Sequence, residues 1–149
     1  MKSEPDTYSI DDLAAKTPAM WEGCRNFTVR NFMKDEMQPG DLALFYHSSC
    51  PVPGAVGVME VVSKEAYPDP TQFDPTSDYY DATSRQEKPK WYVVDVAFKS
   101  KFKDVVTLST MRTAPGLENM INNRRGNRLS ITPVTPEEWA VIMKLAGKP

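Results

Sequence analysis

The sequence predicts one mixed α/β domain, a central curved sheet with flanking helices, and three observations carry that reading. Segments rich in β-branched and aromatic residues recur along the chain, at 42–47, 55–66 and 91–102. Capped amphipathic stretches stand before, between and after them. The 149 residues, 40% hydrophobic, suffice for one core and are too few for two comfortable ones, so a single domain over 1–149 is expected.

The elements follow in order. Ser9 with Asp12 three residues on is a helix start, a serine oxygen for early amides and an acid at the positive end, which predicts a short helix over 10–16. Asn26 caps a second helix over 26–37, supplying Phe27, Phe32, Met33 and Met37 to the core, and Pro39-Gly40 ends it. Residues 42–47 and 55–66 read as neighbouring strands joined by a loop with a Pro-Gly turn.

Residues 67–90 carry four prolines, at positions 68, 70, 75 and 89, among many aspartates, which excludes a central strand or a long helix. Tyr67, Phe73, Tyr79 and Tyr80 make this an ordered loop, either a cover over a site or a loop packing its own apolar residues onto the sheet. Residues 91–102 alternate as a long strand, 105–108 extend the sheet, and 127–132 predict a further strand. Thr135-Pro136-Glu137-Glu138 opens a last helix to Ala146: threonine cap, proline in the first turn, two acids near the positive end. Trp139, Ile142, Met143 and Leu145 face its core side.

The net charge of −2 argues against a protein that holds nucleic acid mainly through a broad positive field. The charge is uneven, however. Residues 60–87 hold seven acids and two bases, net −5, whereas 88–128 hold nine bases and three acids, net +6, which permits a basic face. Within the second stretch, Arg124, Arg125 and Arg128 surround Gly126 ahead of an apolar alternation. Guanidinium forks there can meet phosphate or a base edge; the plainer reading is a solvated surface turn.

Catalytic constellations are thin. His47 is the only histidine, so it must be the base of any His-dependent mechanism, with Ser48, Ser49, Cys50 or Cys24 as nucleophile. Adjacent strand residues point to opposite faces, which disfavours His47 acting on Ser48. Cys24, His47 and Cys50 lack the paired spacing and fourth ligand of a structural zinc site, so no metal and no cofactor are expected. Glycine-rich nucleotide motifs are absent from the sequence. With no signal-like opening and no apolar run near the roughly 20 residues of a membrane helix, the expectation is a cytoplasmic monomer with free thiols and no membrane partner.

Trp21, Gly23 and the Arg25-Asn26 pair set a flat ring beside hydrogen-bonding groups, the minimum equipment for a flat heterocycle, although a tryptophan filling the core is an equal alternative. Beside these stand Lys2-Ser3-Glu4-Pro5, Phe45-Tyr46-His47-Ser48, residues 66–75, Trp91-Tyr92-Val93-Val94, residues 125–134 and Glu138-Trp139. Taken in order, these motifs resemble the EVE domain, a PUA-like fold, over nearly the whole chain. The resemblance departs in two places: the family usually has more apolar residues before Lys2, and an aliphatic residue where Cys24 stands.

The resemblance implies a PUA-like pseudobarrel and a non-enzymatic reader of a modified base, such as 5-methylcytosine or a derivative, in DNA or RNA. Carried over residue by residue, it puts Ser3, Trp21, Asn26, Tyr46, Ser48 and Trp91 around the pocket, with Lys2, Arg25 and Arg128 available to phosphate or base edges. One methyl contributes only about 0.8 kcal/mol by transfer, so sharp reading also needs a penalty on the unmodified base. Two other classes stay open: an enzyme on a modified nucleotide using His47 with Glu4 or Glu60, and a protein-binding adaptor using the aromatic acidic loop.

Overall fold

The computed structural model describes residues 1–147. Its centre is a curled five-stranded sheet. In chain order the elements are β1 (Lys2–Ser3), α1 (Ile10–Ala15), β2 (Ala19–Met20), α2 (Phe27–Asp35), β3 (Leu42–His47) and β4 (Gly54–Val61). There follow β5 (Tyr67–Pro68), β6 (Tyr92–Val93), β7 (Asp95–Thr107), α3 (Leu108–Thr113) and α4 (Pro136–Leu145). Two short 3-10 turns, Pro70–Phe73 and Ile121–Asn123, lie in the connections.

The strand order is β1-β3-β4-β7-β2, with β1 parallel to β3 and the other neighbours antiparallel. Register slips at Phe45/Tyr46, between Ala55 and Gly57 and at Val58/Met59 bend these strands, because an unpaired residue on one side of a ladder increases local twist. The result is a half-barrel. A separate two-stranded ribbon pairs β5 with β6.

Each face of the sheet carries an apolar cluster, as strand alternation demands. Phe45, Met59 and Val96 pack beneath α1 and α2 with Ile10, Leu13 and Met33. Leu44, Tyr46 and Val58 face the other way, against Met111 of α3 and Ile142 of α4. Gly57 lets α1 approach: a Cβ there would collide with Ile10 Cδ1 and the Ser100 carbonyl.

The helix starts match the sequence closely. Ser9 and Asp12 form a reciprocal capping box, Asn26 Oδ1 accepts from Val29 N, and Thr135 and Glu138 form a second box. Four expectations are corrected. Residues 127–132 are not a strand: the Ser130 carbonyl accepts from Lys2 N at 2.8 Å, Leu129 N is taken by Asn127 Oδ1, and Pro133 cannot donate to a ladder. Sheet structure after 105 stops at Thr107, whose hydroxyl accepts from Thr110 N and starts α3. Residues 62–66 leave the sheet after Val61, and the 91–102 segment is divided, with β6 joining the ribbon and β7 the main sheet.

Candidate functional site

A cavity of about 1000 Å³ opens between β1, the turn after it, α1 and residues 18–24, closed on the remaining sides by Tyr79 and Ser130. Its walls are set by local hydrogen bonds. Ser3 Oγ donates to the Tyr8 carbonyl at 2.6 Å, and the Thr7 and Tyr8 amides donate to the Glu4 carbonyl, so the Lys-Ser-Glu-Pro turn delivers the Tyr8 ring to the cavity. The Ile10 amide, first in α1, donates to His47 Nε2 at 3.2 Å. His47 is therefore a cap for α1, and its ring packs edge-on against Phe45.

Trp21 forms the opposite wall. Its amide donates to the Val94 carbonyl at 2.9 Å, and its ring stands nearly perpendicular to Phe45, at 83° and 5.4 Å between centroids. Gly23 follows at φ +85, a conformation that favours glycine. A Cβ on it would lie 2.6 Å from Tyr79 Cζ, so the Tyr79 ring lies directly on the bare backbone.

One buried network fixes Tyr79. Asp69, fully buried, accepts from Gly23 N (3.2 Å), Thr71 N (2.8 Å), Thr71 Oγ1 (2.5 Å) and Arg25 Nη1 (3.0 Å). Burial alone would raise its pKa, but these bonds hold it below the ordinary carboxylate value. Arg25 then reaches on to the Tyr79 carbonyl through Nε (3.2 Å) and Nη2 (2.7 Å). Gln72, also fully buried, ties the loop base: its Nε2 donates to the Asp69 and Trp91 carbonyls, and its Oε1 accepts from the Ser84 hydroxyl and the Lys90 and Trp91 amides. Residues 67–90 are thus an ordered segment that sets the Tyr79 ring into the cavity wall.

The cavity's electrostatics suit a neutral polar ligand better than a bare anion. Glu4, Asp12 and Glu22 line it against Lys2 and Lys16. The Glu22 carboxyl is raised by burial and by Asp69, with Arg25 opposing; the Tyr8 phenol is raised by burial and by Asp12 and Glu22. Tyr8 OH is buried without a hydrogen-bond partner among the described residues, a donor left for something else. Cys24 is a wall residue whose thiol is pushed up by burial and lies 3.9 Å from Ser130 Oγ, which makes it a poor nucleophile.

The structure brings together only part of the sequence-derived site. Lys2, Ser3 and Trp21 line the cavity. Asn26 instead caps α2, and Tyr46 lies on the opposite face of the sheet, with Lys2 Nζ 6.0 Å from its ring. Ser48 meets the site only through its amide, which donates to the Ser3 carbonyl at 3.0 Å. Trp91 lies under the cover, its indole donating to Asp81 Oδ2 at 2.8 Å, and Arg25 is committed to Asp69, Thr71 and Tyr79 rather than free for phosphate. Arg128 is exposed on the turn leading to Ser130. Tyr8, Glu22 and Tyr79 also line the cavity, beyond the residues the sequence points to; Gly23, whose missing Cβ leaves room for the Tyr79 ring, is the available signal for Tyr79.

For other chemistry, no group of three or more His, Cys, Asp or Glu positioned to hold a metal ion occurs among the described residues. Both cysteines are free thiols, and no described helix is long and apolar enough to cross a membrane.

Comparison with known proteins places this geometry among relatives. The EVE domain family model matches residues 1–145. Thymocyte nuclear protein 1 of Gallus gallus is 43% identical over 164 residues, covering 97% of this chain and 66% of its own length; the Homo sapiens protein is 40% identical, covering 99% and 73%. A crystal structure of a Pseudomonas syringae protein superposes with a TM-score of 0.94 at 46% identity, covering 98% of this chain and 97% of that one. Human THYN1 protein in complex with 5-methylcytosine containing DNA superposes with a TM-score of 0.91 at 39% identity, covering 100% and 96%.

Proposed function

The chain belongs to the EVE domain family, and from that premise we propose that it binds nucleic acid and reads a modified base, 5-methylcytosine or a derivative, in the Trp21 cavity. The observation that carries the reading is the wall pairing of Trp21 with an unpartnered Tyr8 phenol, under the Tyr79 cover, in a fold shared with a THYN1 protein that was crystallised with 5-methylcytosine DNA.

The chemistry fits a flipped cytosine. Its exocyclic amino group needs an acceptor, which Glu22 supplies at the lip, and one of its two acceptors, the carbonyl or the ring nitrogen, can take the single O–H that the Tyr8 phenol donates. Stacking on an aromatic ring contributes roughly 1–3 kcal/mol, and a buried methyl about 0.8 kcal/mol. Extruding a base from a duplex costs a few kcal/mol, so the base contacts alone leave little net affinity. Phosphate contacts must supply the rest, for which Lys2 and Lys16 in the cavity wall and the exposed Arg128 are available. Base contacts then specify and phosphate contacts hold.

The test is tryptophan-fluorescence titration with matched single-stranded and duplex DNA and RNA oligonucleotides, with and without modified cytosines, at near-physiological salt. Saturable quenching that favours one modified set supports the reading and names the substrate class. Equal binding of modified and unmodified sets refutes base reading, and no binding to any set refutes the nucleic-acid reading altogether.

A further inference from the structure

A second surface runs outward from the cavity cover. Arg25 Cζ lies 5.7 Å from the centroid of the Tyr79 ring and 5.5 Å from that of the Trp91 ring, and Trp91 stacks on Phe27 at 4.8 Å and 21°. Arg30 Cζ lies 4.6 Å from the Phe27 centroid, and Lys34 Nζ lies 4.5 Å from that of Tyr92. A run of contacts leads from Tyr79 through Arg25, Trp91 and Phe27 to Arg30, and a separate pair, Lys34 with Tyr92, stands one helical turn on from Arg30 and next in the chain to Trp91.

Phe27 covers the buried Trp91 and Arg30 bonds the Lys90 carbonyl, yet much of this face stays in water. α2 buries Val29 and Met33 on its other side, whereas Phe27 remains 53% exposed, an aromatic ring left in water at the first turn of a polar face. Neither Arg30 nor Lys34 has a carboxylate partner; the ion pairs among the described residues are Arg25–Asp69, Lys99–Glu60 and Lys101–Asp11. Arg30 is nonetheless held in place, with Nε and Nη2 donating to Asn31 Oδ1 at 3.0 and 2.8 Å and Nη1 to the Lys90 carbonyl at 3.1 Å. Three of its five N–H groups are used, so two remain on a guanidinium whose ordering cost is already met before any ligand arrives.

We propose that Phe27, Arg30, Lys34 and Tyr92 form a second nucleic-acid contact, a track that holds the phosphodiester backbone next to the nucleotide whose base enters the cavity. The occupant follows from charge complementarity and composition: cations without a carboxylate partner among the described residues, beside the exposed Phe27 ring and the half-buried Tyr92 ring, meet phosphates with their charge, and the rings meet sugars or unstacked bases with their faces. This deepens the proposed function and rests on it for which strand is bound. It also supplies affinity that the acidic cavity cannot.

The experiment measures the salt dependence of binding, log Kd against log salt, for one oligonucleotide in 5-methylcytosine and unmodified forms. The proteins are the wild-type chain, Arg30→Gln/Lys34→Gln, and Lys99→Gln/Lys101→Gln as a control with the same charge change on β7. Removing two phosphate contacts is expected to flatten the slope by about 1.4–1.8, at roughly 0.7 per contact on single strands and 0.9 on duplex. The loss should be equal for both oligonucleotides, leaving their affinity ratio unchanged, and the control should keep the wild-type slope. Phe27→Leu should weaken binding without changing the slope. An unchanged slope in the Arg30/Lys34 variant, or an equal change in the control, overturns the track. A wild-type chain indifferent to methylation whose slope still depends on Arg30 and Lys34 overturns base reading and upholds the track, and a wild-type chain that binds neither oligonucleotide overturns both.

Discussion

Replacing Gly23 by alanine should cost more than replacing another left-handed glycine, and the excess measures how firmly Tyr79 is seated. Gly23 and Gly40 both have positive φ, +85 and +91, so alanine at either incurs a left-handed penalty of about 1–2 kcal/mol. At Gly40 nothing lies within 4 Å of the new Cβ, and the cost ends there. At Gly23 the Cβ meets three Tyr79 ring atoms at 2.6, 2.7 and 2.9 Å. Carbon atoms prefer about 3.5–4.0 Å, so the ring must retreat by roughly 1 Å. Arg25 resists this by holding the Tyr79 carbonyl through two donors. Overpacking of that kind costs about 1–3 kcal/mol. Thermal unfolding should therefore place Gly23→Ala roughly 2–12 °C below Gly40→Ala, at about 2–4 °C per kcal/mol for a domain of this size. In a Tyr79→Ala background the difference should vanish. Equal melting temperatures for the two single variants would refute the claim that Tyr79 is clamped onto Gly23.

Three further outcomes follow from the same geometry. Asp69→Asn removes the charge opposite Arg25 and places an amide where four donors converge; a loss of about 2–3 kcal/mol in denaturant unfolding is expected, together with weaker ligand binding, and a near-neutral variant would contradict the network. His47 is pulled below its ordinary 6.5, chiefly by burial with Lys101 adding and Asp11 opposing, and its Nε2 can accept from Ile10 N only while unprotonated. The unfolded chain takes that proton first, so stability is full above pH 6.5 and falls as pH drops from 6.5 towards the depressed folded value. His47→Gln should flatten stability across that window, and an unchanged slope would count against the cap. Thr135→Ala breaks the α4 capping box and should cost about 1 kcal/mol in thermal unfolding, without altering ligand affinity.

How much could be read from the sequence depended on whether a signal was local. Ser9, Asn26 and Thr135 bond to amides three residues away, so their caps were legible, and so was the strand at Leu42–His47. Residues 127–132 misled because their apolar alternation is real: Ile131 is buried, yet the segment pairs with no strand and contributes a single carbonyl to Lys2. The two-residue strand β2 is too short for any periodicity to reveal, and α3 was hidden because Thr107 both ends a strand and caps a helix. At the site, Trp21 was legible as a flat ring beside polar residues. Arg25 was not, since its role depends on Asp69, 44 positions away. Aromatic residues could be counted, but only tertiary packing separates Trp21 at the cavity from Trp91 beneath the cover.

The measurement that tests the central claim most directly is an NMR experiment on the full chain bound to a DNA oligonucleotide whose single 5-methylcytosine carries a ¹³C-labelled methyl. A base seated in the Trp21 cavity gives cross-relaxation from that methyl to the Trp21 indole and the Tyr8 ring, lost in Trp21→Ala while the domain stays folded. Contacts from the methyl to residues of the 124–128 turn or of α2 instead, or none to the protein in a saturated complex, would contradict it.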